Sequence, residues 1–562
     1  MGRNRETLQE AIWLRLRTSV SGWRSAGPRH LGVAMRFRNP HPSRRSPVMA
    51  DNVVATSQPL AAQAGLQAMA EGGNAVDAAL AAAITLTVVE PTGNGVGGDA
   101  FALVHDGRQL HGLNASGRAP AGWSPAFFAG RDGMPPVGWH SVTTPGAVSA
   151  WTALSRRFGA LPFARLFQRA VALAESGFLV TPAVATLWAM GARQLERQPG
   201  FADTFLPGGR APRTGERFRN PDLAATLQRI AETGGEAFYR GELARRIAAE
   251  ARRHGAALTE ADLDAHRPAW VCPLSLPYRG VEAHELPPNG QGIAALIALG
   301  ILAHTEMPEV APDSIPGLHL QIEAMKLALA DTQAHVADPE AMTVEPAALL
   351  DPGYLAARAA TIDRQAAGDP GYGVPRPGGT VYVTAADAQG RMVSYIQSNY
   401  LGFGSGVVIP GTGISLQNRG AGFTLQPGHP NRVGPRKRPF HTIIPGFLTT
   451  PDGGPLTSYG VMGGPMQAQG HVQVGVRLVD FDQDPQTACD APRWRVLGGR
   501  RVAVEATLPA RTLEGLSELG HELTVTAPEA AFGFGGAQVA QRLSGGYVAG
   551  SDPRKDGQAV GF

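Results

Sequence analysis

The chain has 562 residues, of which 43% are hydrophobic and 17% are charged, and this composition excludes a mostly disordered protein. Its length allows one large globular unit or about two to four domains. Residues 1–48 contain ten of the 50 basic residues and only two acidic ones, so the rest of the chain is mildly acidic despite a formal net charge of +3. We therefore predict no nucleic-acid surface.

Residues 1–48 form a basic N-terminal extension. They lack the apolar stretch of roughly 7–15 residues that a secretory signal needs, and Met35 and Met49 are both plausible starts. We therefore expect the extension to be either disordered or upstream of the true start. The longest apolar run, 78–89, is too short to span a bilayer. The two cysteines, Cys272 and Cys489, lie far apart in the sequence, so we predict no disulfide framework. Together with the missing signal pattern and the short apolar run, this leads us to expect a soluble cytoplasmic protein without a membrane partner.

The first part of the chain predicts two helices followed by a strand. Residues 59–71 have helical spacing and stop at a pair of glycines. Asn74 is typical of the residue that caps a helix, here 75–89, which Pro91 ends. A glycine turn at 95–98 then precedes a strand at 100–105.

The middle and last parts of the chain differ in their predicted structure. Residues 140–370 are predicted mostly helical, with helices at 242–254 and 318–335, a third that Asn220 and Pro221 open, and a loop at 287–292. After residue 378 the pattern favours strands. Segments 380–384 and 392–397 flank Asp-Ala-Gln-Gly at 387–390, which indicates a hairpin.

Several common sites are absent from the sequence. It has no phosphate-binding P-loop, no zinc-binding His-Glu-x-x-His and no Gly-x-Ser-x-Gly nucleophile turn. Its 15 histidines show no metal-ligand spacing. The sequence therefore offers none of these usual metal, nucleotide or serine-hydrolase sites.

One stretch of the sequence remains as a candidate catalytic site. It runs from Gly378-Gly379-Thr380 through Ser398 and Tyr400 to a glycine cluster at 402–406, and a Gly463-Gly464 pair follows later. Taken alone, Thr380 is a β-branched residue that opens a strand, and Gly463-Gly464 is an ordinary turn.

This stretch, together with other segments in the same order, resembles the γ-glutamyltransferase family of N-terminal nucleophile (Ntn) hydrolases. The resemblance runs from about Val53 to the C-terminus. The further matching segments are 55–59, 72–78, 90–91, 97–98, 119–120, 238–241, 323–326, 463–464 and 552–554.

The resemblance implies an α+β fold, the four-layer αββα sandwich with two antiparallel sheets between helical layers. It also implies a precursor that cuts itself between Gly379 and Thr380. We expect a large fragment, 49–379, and a small fragment, 380–562, that remain together as one domain and a heterodimer, with a higher oligomer left open.

In the mechanism that the family implies, Thr380 is the nucleophile. Its freed α-amine, with an ordinary pKa of roughly 8, acts as the base for its own hydroxyl. Ser398 stands where the family has a second threonine that contacts the nucleophile's amine. The N–H groups of Gly463 and Gly464 match the family's oxyanion donors. This mechanism needs no metal and no organic cofactor, so we predict neither.

The substrate-binding positions depart from those of glutathione-using relatives. Gly422 stands in place of an aspartate that would pair with a substrate ammonium, and Arg419 would repel such a group. His441-Thr442 replaces a serine pair, Tyr400 replaces an asparagine, and Arg118 lies two residues later than the family's carboxylate-binding arginine. With Asn418, these residues predict a pocket for an acidic acyl group that lacks an α-ammonium.

This pattern is similar to the oxamate amidohydrolase and glutaryl-acylase-like branch. The sequence thus predicts a self-cleaving amidohydrolase that acts on a small amide through an acyl-enzyme. Two alternatives stay open, a true γ-glutamyltransferase or glutathione hydrolase, and a catalytically inactive binding homologue.

Overall fold

Two large antiparallel sheets dominate the computed structural model, which describes residues 45–370, 379–527 and 533–562. The strands are β1 Val48–Ala50, β2 Val53–Thr56, β3 Asp99–His105, β4 Leu110–Asn114, β5 Phe178–Leu179, β6 Arg217–Phe218, β7 Ala269–Val271, β8 Leu274–Tyr278, β9 Val281–Glu285, β10 Gly379–Ala386, β11 Met392–Tyr400, β12 Val408–Ile409, β13 Ile414–Ser415, β14 Gly446–Thr449, β15 Pro455–Met462, β16 Trp494–Gly498, β17 Arg501–Glu505, β18 Glu522–Thr526, β19 Gly536–Leu543, β20 Gly546–Ser551 and β21 Gln558–Gly561.

Each large sheet has seven strands, in the orders β1-β20-β19-β15-β14-β9-β8 and β21-β2-β10-β11-β3-β4-β7. The α-helices are Pro59–Ala70, Ala75–Val89, Ala147–Phe158, Gln168–Ser176, Pro182–Leu195, Phe201–Phe205, Pro221–Glu232, Glu236–Arg240, Glu242–Arg253, Glu260–Ala265, Gly292–Ala303, Ile315–His335, Pro346–Leu349, Pro352–Ala360, Met466–Val479, Pro485–Asp490 and Ala510–Glu518.

Three apolar cores separate four layers. One core joins the helices around 75–89 to the outer face of the sheet that contains β10, and another joins helices 292–303, 315–335 and 466–479 to the outer face of the sheet that contains β15. A third core, with Phe101, Tyr382 and Phe447, lies between the sheets. The αββα sandwich that the family resemblance implied is confirmed.

The β10–β11 hairpin has the pairing that the sequence predicted, and its side chains alternate between two cores. Val381, Val383 and Ala385 pack on the helices, whereas Tyr382 and Ala386 face the second sheet. Because side chains on a strand alternate with a period of two, Thr380 faces the same way as Tyr382. The register also shifts between Gly379 and Val381, where the ladder contains an irregularity.

The predicted helix at 75–89 is confirmed, and its N-terminus explains its stability. The Oδ1 atom of Asn74 accepts hydrogen bonds from the N–H groups of Val76 and Asp77, and Asp77 accepts one from the N–H of Asn74. This reciprocal capping box satisfies donors that would otherwise lack partners.

A hairpin within the middle segment was missed. Strands β8 and β9 pair in a region predicted mostly helical, and the turn between them contains Arg279 and Gly280, both with positive φ. Two consecutive residues with positive φ match the twist of a two-residue hairpin. A short Arg-Gly turn without an Asn or Asp gave only a weak sequence signal.

The boundary predicted for the N-terminal extension lies too late in the chain. Residues 1–44 are outside the described residues, but Arg45 donates hydrogen bonds to the carbonyl oxygens of Asp552 and Gly557, at 3.1 and 2.8 Å. Val48 already belongs to β1, which pairs with β20. Residues 45–48 are thus part of the folded body, since their hydrogen bonds reach the C-terminal strands.

Among the described residues, no helix combines the length and the apolar character that crossing a membrane requires.

Candidate active site

The hydroxyl of Thr380 lies against the peptide bond that precedes it. Thr380 is only 3% exposed, and its Oγ1 donates to the carbonyl oxygen of Gly379 at 2.7 Å. Gly378, which the family motif includes, is outside the described residues. The two residues of the predicted cleavage site therefore begin β10 with the candidate nucleophile in contact with the candidate scissile carbonyl.

Ser398 contacts the same carbonyl from the neighbouring strand. Its Oγ donates to the carbonyl oxygen of Gly379 at 2.7 Å and lies 3.2 Å from Thr380 Oγ1. The N–H of Tyr400 donates to Ser398 Oγ at 2.7 Å, which directs the serine proton towards Gly379. Two hydroxyls thus converge on one carbonyl oxygen, and hydrogen bonding of this kind draws electron density from its carbon.

Tyr400 has a φ of 81°, a value that non-glycine residues rarely adopt. Such a backbone costs of order 1–3 kcal/mol and persists only where its surroundings hold it. Here the N–H of Leu401 donates to the side chain of Asn418. Asn418 is fully buried and also donates to the carbonyl of Pro136, so it holds this loop in place.

Gly463 and Gly464 form the turn between β15 and the helix Met466–Val479. Their φ values are 131° and 62°, so an L side chain would be strained at either position. Their carbonyls accept hydrogen bonds from the N–H groups of Met466 and Gln467. Within the described parts of the chain, their own N–H groups make no hydrogen bond to protein, which is the state expected of oxyanion donors.

Gln467 also belongs to the site, and the sequence reading missed it. Its Nε2 donates to Thr380 Oγ1 at 3.2 Å, and the residue is fully buried. A glutamine in the first turn of a helix carries no chemical signature in a single sequence. Only its place three residues after Gly464 could have drawn attention to it.

Arg419 is a buried cation beside the same site. It is 1% exposed, its guanidinium carbon lies 4.8 Å from the centre of the Tyr400 ring, and its Nη1 donates to Thr442 Oγ1 at 2.9 Å. In the described part of the structure, Nε and Nη2 have no hydrogen-bond partner. Burial lowers the pKa of Arg419 to about 10, against the opposing effect of Asp99, so the group stays cationic at neutral pH.

His441 pairs with Asp99. Its Nε2 lies 3.1 Å from Asp99 Oδ2, and both side chains are fully buried. Burial, with the charges of Arg419 and Arg438, holds the pKa of His441 well below its usual range, so the ring is neutral. Burial also raises the pKa of Asp99 to about 7. Nε2 of this neutral imidazole is therefore already engaged by Asp99, whereas the sequence predicted that His441 helps to bind an acidic acyl group.

Arg118 is not brought together with the other predicted residues. Its Nη1 lies 3.1 Å from Asp338 Oδ2 and also donates to the carbonyl of Arg436. This ion pair occupies the guanidinium that the sequence analysis expected to hold a substrate carboxylate.

A cavity of about 430 Å³ reaches several of these residues, although Thr380 is not among the residues that line it. Tyr400 and Thr442 line it, and so does Pro465, which follows the Gly463-Gly464 turn. Its remaining wall is formed by helix 315–335, by residues 133–134 and by the loop 421–431. The lining residues are Gly133, Met134, Gln291, Leu329, Thr332, Gln333, Val336, Tyr400, Leu401, Ala421, Gly422, Phe423, Thr424, Gln426, His429, Asn431, Phe440, Thr442 and Pro465. They include no Asp, Glu, Lys or Arg, and Arg419 contacts two of them, Tyr400 and Thr442, from outside the cavity lining.

The structure brings two histidines and a glutamate together, although the sequence showed no metal-ligand spacing. His319, Glu323 and His521 offer ligand atoms within 4.8 Å of one another. However, Lys326 Nζ lies 2.8 Å from Glu323 Oε1, and His319 Nδ1 lies 2.9 Å from His521 Nε2. A buried ammonium on the carboxylate and a histidine–histidine hydrogen bond fit a structural hydrogen-bond cluster better than a cation site.

Comparison with known proteins gives a consistent result over nearly the whole chain. The family model described as Gamma-glutamyltranspeptidase matches residues 61–562. The chain is 38% identical to the oxamate amidohydrolase proenzyme of Klebsiella pneumoniae, over 90% of this chain and 97% of that protein. It is 35% identical to the glutathione hydrolase-like YwrD proenzyme of Bacillus subtilis, over 92% of this chain and 100% of that protein.

A solved structure is also similar throughout. The cephalosporin acylase from Bacillus halodurans superposes with a TM-score of 0.90 at 47% sequence identity, covering 94% of this chain and 99% of the other. Several of the similar proteins are named proenzymes, and these relatives are named as hydrolases, amidohydrolases or acylases.

Proposed function

The chain belongs to the γ-glutamyltranspeptidase family, an enzyme family of amidohydrolases and acylases, and from this membership we propose that it cuts itself between Gly379 and Thr380. The observation that carries the proposal is the contact of Thr380 Oγ1 and Ser398 Oγ with one carbonyl oxygen, that of Gly379. We infer that the cut converts Thr380 into an N-terminal nucleophile for amide hydrolysis.

The proposed cut proceeds in two steps. Thr380 Oγ1 attacks the carbonyl carbon of Gly379, the C–O bond forms, the C–N bond breaks, and the hydroxyl proton ends on the departing nitrogen. The resulting ester is then hydrolysed by water to the Gly379 carboxylate and the free Thr380 amine and hydroxyl. The Ser398 hydroxyl supports the first step because it donates to the oxygen that gains negative charge.

After the cut, Thr380 attacks the amide substrate with the help of its own α-amine and of the Gly463-Gly464 turn. The α-amine of Thr380 accepts the proton of the Thr380 hydroxyl as that oxygen attacks the substrate carbonyl. The N–H groups of Gly463 and Gly464 hold the oxyanion, and each such donor contributes about 2.7–4 kcal/mol to lowering the barrier. The α-amine then passes this proton to the departing nitrogen as the C–N bond breaks, and the amine product leaves. Water hydrolyses the remaining ester to the free acid and the Thr380 hydroxyl.

We assign the acyl group to the class of acids that lack an α-ammonium. Gly422 lines the cavity where a carboxylate would be needed to pair with an ammonium, and the lining residues include no acidic side chain. Arg419 supplies an incompletely paired cation behind Thr442. An anion near Arg419 would accept hydrogen bonds that this guanidinium does not otherwise make.

The cavity size favours a glutaryl-like acyl group over an oxamate-like one. A volume of about 430 Å³ is in the range of pockets that enclose drug-sized ligands. Leu329, Val336 and Phe440 give it an apolar wall, against which a short aliphatic chain or the departing amine would pack. Hydrolysis is favoured over transfer because no acceptor site for an amino acid is identified among the described residues.

The first experiment separates an active enzyme from an inactive binding homologue. We expect the purified protein to give two bands on a denaturing gel, with the smaller one beginning Thr-Val-Tyr-Val by N-terminal sequencing. Thr380→Ala should give one uncut band. An intact wild-type chain, or a cut elsewhere, would refute the proposal.

The second experiment separates the substrate classes. Glutaryl-, γ-glutamyl- and neutral pentanoyl-anilides, with oxamate alongside, should be compared by kcat/KM. We expect glutaryl-anilide to be preferred. A preference for γ-glutamyl-anilide would identify a glutathione-type hydrolase instead.

A further inference from the structure

Gln467 connects the nucleophile to the Gly463-Gly464 turn. It is the second residue of the helix Met466–Val479, and its backbone N–H donates to the carbonyl oxygen of Gly464 at 3.1 Å. Its side chain extends to β10, where Nε2 lies 3.2 Å from Thr380 Oγ1. One residue thus contacts the attacking oxygen and the backbone of the proposed oxyanion turn.

The orientation of its amide follows from the hydrogen-bond network. The N–H of Ile444 lies 3.0 Å from Gln467 Oε1, and a backbone N–H can only donate. The oxygen end of the amide must therefore face Ile444, which leaves the NH₂ end for Thr380. Gln467 is consequently a donor to the Thr380 hydroxyl oxygen.

We propose that Gln467 is a catalytic residue that holds the Thr380 oxygen in its attacking position, both in self-cleavage and in turnover. A hydroxyl has one proton and two acceptor positions. The amide occupies one acceptor position and the proton points to Gly379, so a single lone pair remains to attack a carbonyl carbon. As the proton leaves, the oxygen becomes more negative and the hydrogen bond from Gln467 strengthens.

The proposal rests on the proposed function, since it assigns Gln467 a part in that chemistry. Its second consequence concerns the relative position of nucleophile and oxyanion donors. The carbonyl of Gly464 also accepts a hydrogen bond from Gln291 Nε2 at 3.0 Å, so the turn is held from two sides. Gln467 links this turn to Thr380, and catalysis depends on keeping such groups aligned to within a fraction of an ångström.

Gln467→Met tests the proposal because methionine has a similar length and cannot donate a hydrogen bond. We expect self-cleavage to slow about ten-fold, the change that follows from losing one neutral hydrogen bond to a reacting atom. Once cutting is complete, kcat should also fall about ten-fold with KM little changed, since the amide contacts the nucleophile and not the substrate.

Gln469→Met is the matched control. Gln469 lies on the same helix, is fully buried, and likewise uses both ends of its amide, accepting from the N–H of Val496 and donating to the carbonyl of Pro465. It does not contact Thr380. If the role of Gln467 were purely structural, the two variants would show the same rates of self-cleavage and turnover when they had lost the same thermal stability.

Gln467→Glu gives a readout that a structural role would not move. The carboxylate can still accept the N–H of Ile444, but its other oxygen donates only when protonated. We expect self-cleavage of this variant, relative to wild type, to recover as the pH falls from 8 to 5. Self-cleavage precedes formation of the free Thr380 amine, so titration of that amine does not contribute to the pH dependence of the self-cleavage rate.

These experiments distinguish failure of the proposed function from failure of the role assigned to Gln467. An uncut wild-type chain refutes the proposed function itself. A wild-type chain that cuts, with Gln467→Met cutting and turning over as fast as Gln469→Met, overturns the assignment of Gln467 alone. A pH-independent ratio for Gln467→Glu overturns it as well.

Discussion

Two buried arginines show how surroundings decide what a residue does. Arg493 is 2% exposed and lies 2.6 Å from the carboxylate of Asp552, which compensates its charge. Arg419 is as deeply buried, yet two of its guanidinium nitrogens lack partners among the described residues. A buried cation without full compensation costs stability, and charged groups in perturbed surroundings cluster at functional sites.

Arg419→Met should therefore change specificity more than stability. We expect kcat/KM for glutaryl-anilide to fall about 10- to 100-fold, the range for loss of a hydrogen bond to a charged group of about 1.5–3 kcal/mol. The value for pentanoyl-anilide, which has the same chain length and no carboxylate, should change little. The free energy of unfolding should also change little, because an apolar side chain replaces an incompletely paired ion.

Arg493→Met is the control for that experiment. Removing this arginine leaves the Asp552 carboxylate buried with one cation fewer, which should lower the free energy of unfolding by about 3–5 kcal/mol. The ratio of glutaryl to pentanoyl activity should stay the same. Equal loss of both activities in Arg419→Met would contradict a role in acid recognition.

Glu90 couples the stability of the protein to pH. It is 3% exposed, and burial raises the pKa of its carboxyl to about 7 although Lys555 and Ser57 oppose the shift. A raised pKa means that the folded state holds a proton that the unfolded state loses above about pH 4.3. The stability that this group contributes is thus complete below that pH and is lost as the pH rises through about 7.

Glu90→Gln should remove this dependence. The variant should gain free energy of unfolding relative to wild type between pH 5 and pH 8, by at most about 3 kcal/mol, measured by urea unfolding at both pH values. Glu216→Gln is a suitable control, because Arg210 lowers the pKa of the partly exposed Glu216 to about 2 and no change follows between pH 5 and pH 8. A variant whose gain is the same at both pH values would disprove the titration of Glu90.

Single residues also show what a sequence can and cannot predict about the site. Thr380, Ser398 and the glycine pair stand in motifs, and the structure places them around one carbonyl and one turn. Gln467 stands in no motif, and its importance depends on a contact between residues 87 positions apart. Arg118 lies two residues from the position of the family's arginine, and its competing partner, Asp338, is distant in sequence.

Elements were predictable where local chemistry fixed their ends. Helix 75–89 begins at the Asn74 cap, and the β10–β11 hairpin turns at Asp387–Gly390, as local residues indicated. The β8–β9 hairpin was missed because its strands are short and depend on β14 for pairing. Tertiary pairing of that kind leaves little trace in a local pattern.

Asn74→Ala should destabilise the helix 75–89 and the fold that rests on it. Asn74 accepts from the N–H groups of Val76 and Asp77, and its Nδ2 donates to the carbonyl of Phe158 at 2.7 Å. We expect a loss of about 1–2 kcal/mol in the free energy of unfolding. Thr259→Ala removes the equivalent cap of an exposed short helix, 260–265, and should cost less. Equal losses of free energy of unfolding in the two variants would contradict the expectation that a cap contributes more at a buried helix than at an exposed one.

Both large sheets contain strands from each side of residue 380. In one sheet β1, β8 and β9 precede it and β14, β15, β19 and β20 follow it. In the other, β2, β3, β4 and β7 precede it and β10, β11 and β21 follow. The pairs β1–β20, β14–β9, β21–β2, β2–β10 and β11–β3 join the two proposed fragments by main-chain hydrogen bonds.

We therefore expect the cut protein to stay assembled. It should elute from a sizing column at the same volume as uncut Thr380→Ala, and the fragments should separate only in denaturant. Because the cut removes the covalent link, unfolding would become dissociation, and its midpoint should rise with protein concentration. The midpoint of Thr380→Ala should not depend on concentration if that chain is monomeric. A small fragment that elutes alone under native conditions would show that these five ladders and the shared cores do not hold the fragments together.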